Sequence, residues 1–60
     1  MIDGPTLKVL RDKADLTQAQ LAKIVGLRAE TLSRYENGKL GIPVRTQWAI
    51  EKALSEHKQQ

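Results

Sequence analysis

The sequence has no cysteine and a single histidine. Without cysteine there is no disulfide and no thiolate metal site, the staples on which small secreted domains usually depend. That absence points to an intracellular setting. No apolar run approaches the ~20 residues of a membrane span, and no signal-peptide pattern follows Met1. Aromatic residues are scarce, with Trp48 the only tryptophan and Tyr35 the only tyrosine. The lone histidine, His57, lies in a polar stretch expected to fray, and no serine occupies a nucleophile motif. The carboxylates Asp3, Asp12 and Asp15 are scattered and suit capping or solvation better than acid–base work. There is no glycine-rich loop of phosphate-cradling spacing and no cluster of metal-ligand residues. These gaps argue against catalysis, and no cofactor, metal or small-molecule substrate is expected.

What is present is one domain's worth of chain, residues 1–60. A chain this short buries only ~60% of the surface that its unfolded form exposes, so a monomer would be marginal. Ten lysines and arginines against seven aspartates and glutamates give a net charge of +3. That balance permits a polyanionic partner without establishing one.

Glycine and proline punctuate the chain at Gly4-Pro5, Gly26, Gly38 and Gly41-Ile42-Pro43. The stretches between them carry helical periodicity. Asp3 or Gly4 can cap a first helix, with Pro5 in its first turn and Leu7, Leu10 and Ala14 on one face. Asp15-Leu16 breaks the run. Thr17-Gln18-Ala19-Gln20 fits a reciprocal capping box opening a second helix, with Leu21, Ala22 and Val25 inward. Gly26 can take the left-handed conformation that ends it. A third helix is expected from Ala29 to Asn37, Leu32 facing inward and Gly38 closing it. A fourth is expected from about Pro43 to Leu54, leaving a polar tail at 56–60. On that helix Ile50 and Leu54 share one apolar line with Ala53 beside them. Val44 and Trp48 form a second line that one core cannot easily absorb.

Residues 17 to 37 thus read as two short amphipathic helices joined by a glycine-containing turn, the form of a helix-turn-helix. At Leu10-Arg11, Leu16-Thr17-Gln18, Leu21-Ala22, Val25-Gly26, Thr31-Leu32-Ser33 and Tyr35-Glu36-Asn37-Gly38-Lys39 the chain resembles the Cro and cI type of phage repressor domain. This is the XRE-like family of small phage and bacterial regulators, and the likeness spans roughly residues 6 to 54. It implies an all-α, compact bundle of four to five helices, lambda-repressor-like in fold. It also implies a transcriptional repressor that binds a pseudo-palindromic double-stranded DNA operator as a homodimer in the cytoplasm, at the bacterial nucleoid or in a phage-infected cell. Two departures stand out. Arg28 occupies a position where the family usually has a small hydroxyl cap, and the region after Lys39 is short and ends in one long helix.

In such an arrangement the residues near the start of the third helix enter the major groove. Helical spacing places Arg28, Ala29, Glu30, Ser33 and Arg34 on its outward side, opposite Leu32. Arg28 and Arg34 suit bidentate hydrogen bonds to guanine, Glu30 can accept from cytosine, and Ala29 can touch a thymine methyl. Glu30 equally suits an ion pair with Arg34 at the i, i+4 spacing, and all of these are also ordinary residues of a solvated helix face. The resemblance places a phosphate-contacting glutamine at Gln18, beside a helix N-terminus whose free N–H groups suit an anion. Asn37, Lys39 and, more weakly, Arg45 are further phosphate candidates, against a plain reading as loop and surface residues. The resemblance also suggests a partly buried structural ion pair between Arg11 and Glu36. Trp48 fits either the core or, with Val44, a dimer contact, since large aromatics often anchor interfaces.

The rival reading is a protein-interaction module on the same fold, such as an antitoxin that binds a toxin and its own operator. Fold alone does not decide between them. Only six residues follow Leu54, fewer than a partner-wrapping tail is expected to need, and no room is expected for a ligand-sensing domain.

Overall fold

The first two helices begin where a capping side chain says they should. In the computed structural model, which describes residues 2–57, Asp3 is extended and its carboxylate accepts the Thr6 N–H at 2.8 Å. Those hydrogen bonds, from Thr6 above all, hold the Asp3 carboxyl below its ordinary value of 3.8. Helix α1 follows as Gly4–Lys13, with Pro5 in the first turn, where its missing N–H costs nothing. Asp15 then reverses the chain with a positive φ of 61°, a conformation that aspartate tolerates better than most side chains.

Helix α2 is Gln18–Val25, opened by a complete capping box. The Thr17 hydroxyl accepts the Gln20 N–H at 3.1 Å, and the Gln20 carboxamide accepts the Thr17 N–H at 2.9 Å. Gly26 ends it at φ 78°, where a side chain would be strained. Helix α3 is Ala29–Glu36, one residue shorter than its periodicity predicts, because Asn37 serves as the cap. Helix α4 is Val44–Glu56, with Pro43 at its N-cap. It runs two residues past Leu54, so Glu56 is helical rather than frayed and His57 caps the end. The remainder of the expected polar tail, 58–60, lies outside the described residues.

The helices meet in the order that their apolar faces dictate. Helix α2 packs against both α3 and α4, and α1 packs against α3. Leu7, Leu21, Leu32 and Ile50, one from each helix, are fully buried and form the centre of the core. Ile2, Leu16 and Tyr35 close it, with Leu10, Val25 and Leu54 half-buried at its margin. Trp48 is not part of this core. It is 67% exposed, and Val44 is 51% exposed, so α4 buries the Ile50 line and turns the second line outward. The fold is all-α, with four helices and no strand among the described residues.

Two contacts escaped the apolar pattern. Gln47 is buried, accepting the Ile2 N–H at 3.2 Å and donating to the Ile42 carbonyl at 3.0 Å. It ties the N-terminal segment and the α3–α4 connection to α4. Gly4 presses on the end of α3, where an added Cβ would stand 2.5 Å from the Tyr35 carbonyl oxygen and 2.7 Å from that of Glu36. Both are backbone atoms, so only glycine lets α1 start against the carbonyl end of α3.

Candidate nucleic-acid interface

The outward side of α3 is built by subtraction. Leu32, Tyr35 and Glu36 face the core. Arg28, Ala29, Glu30, Arg34 and Asn37 are exposed, and Ser33 is half-buried among them. Thus α3 is neither covered by neighbouring segments nor apolar on its free side. Arg28 is the N-cap residue, extended at φ −91° and ψ 148°, and its side chain makes no capping hydrogen bond. Nor does it form an ion pair among the described residues. A position that usually stabilises a helix start instead sends a guanidinium outward.

Arg34 meets Glu30 one turn earlier at 3.4 Å, with the two side chains 60% and 69% exposed. A pair so long and so solvated is worth little, and it leaves the guanidinium accessible. The Asn37 carboxamide approaches the Ser33 hydroxyl at 3.4 Å. Lys39 is exposed just beyond α3, its backbone N–H bonded to the Arg34 carbonyl at 3.0 Å. Arg45 is exposed in the first turn of α4 and makes no hydrogen bond or ion pair to the α3 groups among the described residues. The structure therefore gathers Arg28, Ala29, Glu30, Ser33, Arg34 and Asn37 on one helix and leaves Arg45 apart from them.

Behind this face sits a buried polar junction. Arg11 Nε donates to Glu36 Oε2 at 2.7 Å, a second guanidinium nitrogen reaches Oε1 at 3.3 Å, and the third donates to the Leu16 carbonyl at 2.7 Å. The Arg11 and Glu36 side chains are 10% and 2% exposed. Hydrogen bonding to Glu36 holds the Arg11 guanidinium above its ordinary value, outweighing the opposing cost of burial. An exposed Asp12 carboxylate adds a 3.4 Å contact. The pair joins α1 to the end of α3 and, through Leu16, to the turn before α2.

Gln18 joins the same junction. Its Nε2 donates to Glu36 Oε1 at 3.0 Å. The side chain that the resemblance places against a phosphate is thus also anchored inward by one hydrogen. Periodicity could not show this bond, because it depends on how the start of α2 and the end of α3 are juxtaposed.

The helix-turn-helix family profile matches residues 7–58. The chain belongs to the helix-turn-helix family. Its relatives include the antitoxin PezA of Streptococcus pneumoniae, 54% identical over 35 residues, which are 58% of this chain and 22% of the antitoxin. A second is the HTH-type transcriptional repressor RghR of Bacillus subtilis, 48% identical over 40 residues, 67% of this chain and 30% of the repressor. A third, from Pyrococcus abyssi and provisionally named an HTH-type transcriptional regulatory protein, is 34% identical over 55 residues, 92% of this chain and 17% of its own length. The chain spans less than a third of the length of each of these relatives. No solved structure matches it significantly. Family membership makes this a helix-turn-helix domain, and two of these relatives bear the names of HTH-type transcriptional regulators. No described helix is long and apolar enough to cross a membrane.

Proposed function

We propose that this chain is a sequence-specific DNA-binding repressor that places α3 in the major groove of a pseudo-palindromic operator. The observation that carries this reading is the exposed α3 face, with Arg28 unpaired among the described residues and Arg34 held only by a solvated contact to Glu30. Guanidinium groups there suit guanine O6 and N7, and Ala29, Glu30 and Ser33 complete the base-reading set. Gln18, Asn37, Lys39 and Arg45 hold the backbone on either side. A homodimer sets two copies of α3 one DNA turn apart, ~34 Å. Leu40, Val44 and Trp48, all exposed, support an apolar contact between the copies. The formal charge of +3 favours approach to DNA.

A salt titration tests the phosphate contacts. Affinity for a selected duplex is expected to fall linearly in log–log form, and Lys39→Ala to lower the slope by ~1 per half-site while leaving base preference intact. Sedimentation of the free and DNA-bound protein tests the dimer. Failure to bind any duplex above background at low salt would sink the reading.

One comparison favours a second reading. The 54% identity to an antitoxin supports a module whose role is to engage a protein partner. That reading gains if the chain captures no DNA at low salt.

A further inference from the structure

We infer that Glu36 is a positioning residue that aims the Gln18 carboxamide at a DNA phosphate; the inference rests on the DNA-binding reading above. The capping box determines which donors stay free at the start of α2. Four N–H groups at a helix start lack intrahelical partners. In α2 the Thr17 hydroxyl takes the Gln20 N–H, and the Leu21 N–H already reaches the Thr17 carbonyl. The Gln18 and Ala19 N–H groups have no partner within the helix, and the open cleft at this helix end is lined by Thr17, Gln18, Ala19 and Ala29 together with Asp12 and Asp15.

Glu36 then determines what the Gln18 side chain adds to that cleft. An ionised carboxylate only accepts hydrogen bonds, so the carboxamide must turn its nitrogen inward. The bond from Gln18 Nε2 to Glu36 Oε1, 3.0 Å long, uses one of the two amide hydrogens. The second stays available beside the two free backbone N–H groups. Arg11 completes the device. Its guanidinium neutralises Glu36 at 2.7 Å, so the carboxylate orients the donor without repelling the phosphate that the donor receives. One buried pair thereby couples the packing of α1 against α3 to the donor geometry at the start of α2.

The test is a double-mutant cycle on DNA affinity, using a duplex selected by the wild-type chain. Gln18→Ala is one arm and the double substitution R11M/E36L the other. Exchange of a buried ion pair for apolar residues of similar size is often neutral for folding. In the wild-type background Gln18→Ala is expected to weaken binding about tenfold, the scale of a hydrogen bond to a charged group. In the R11M/E36L background the same change is expected to cost less than about twofold. Ethylation interference at the contacted phosphate should vanish in each arm. A measurement on the wild-type chain alone guards against a variant that does not fold. The Gln18 side-chain NH2 group should be as ordered by 15N relaxation as the backbone of α2, and free averaging of that group overturns the inference. A full tenfold Gln18 effect persisting in R11M/E36L overturns the positioning role alone. Absence of DNA binding by the wild-type chain overturns the DNA reading itself.

Discussion

Arg11→Ala is expected to destabilise the domain by ~3–5 kcal/mol, the cost of leaving one partner of a buried pair unmatched. The substitution removes three guanidinium hydrogen bonds at once, two to Glu36 and one to the Leu16 carbonyl. Glu36, with its side chain only 2% exposed, would retain only the Gln18 donor. A domain of 60 residues is stable by roughly 0.05–0.15 kcal/mol per residue, about 3–9 kcal/mol, so this loss is a third or more of the whole. Urea unfolding followed by helical circular dichroism would show a markedly lower midpoint. An unchanged midpoint would contradict a structural role for the pair. The apolar double substitution should retain a cooperative transition, because it strands no charge.

The second large effect has opposite signs in two assays. Arg28→Ser is expected to raise stability and to weaken DNA binding. Serine at the N-cap would accept a hydrogen bond from the first turn of α3, which Arg28 does not do, a gain of ~0.5–2 kcal/mol. Loss of the guanidinium would remove a bidentate base contact worth ~1–3 kcal/mol of discrimination. Thermal melting reports the first quantity, and a competition assay between matched and mismatched duplexes reports the second. A residue that merely decorates a solvated helix would give the stability gain with unchanged DNA affinity. The opposed result would mean that the domain forgoes a helix cap in order to present a cation at the front of α3.

These two positions also mark what is legible in the chain and what is not. The capping box at Thr17 and Gln20 and the left-handed Gly26 follow from rules acting within a few residues, and each stands where the residue types place it, whereas Arg28 is the N-cap of α3 without a capping side chain. The buried faces of α1, α2 and α3 are readable because Leu7, Leu21 and Leu32 sit at helical spacing from their apolar neighbours. On α4 the period offers two apolar lines, and only the packed structure assigns Ile50 to the core and Trp48 to the surface. Gln47, Gly4 and the inward bond of Gln18 are invisible to periodicity. A buried glutamine reads as polar, and a glycine at a helix start reads as permissive. Their roles arise from contacts between segments far apart in the chain, such as Ile2 with Gln47. The Arg11–Glu36 pair spans 25 positions, and family likeness, not spacing, suggests it.

The base-reading role of α3 is tested most directly by selecting binding sites from random DNA in parallel with the wild-type chain and Arg34→Ala. The wild-type chain should enrich a two-fold site with a guanine fixed in each half. Arg34→Ala should enrich the same site with preference lost at one position per half and retained elsewhere, a change of ~1–3 kcal/mol in discrimination. Identical preferences from both proteins, or no enrichment by either, would contradict the account.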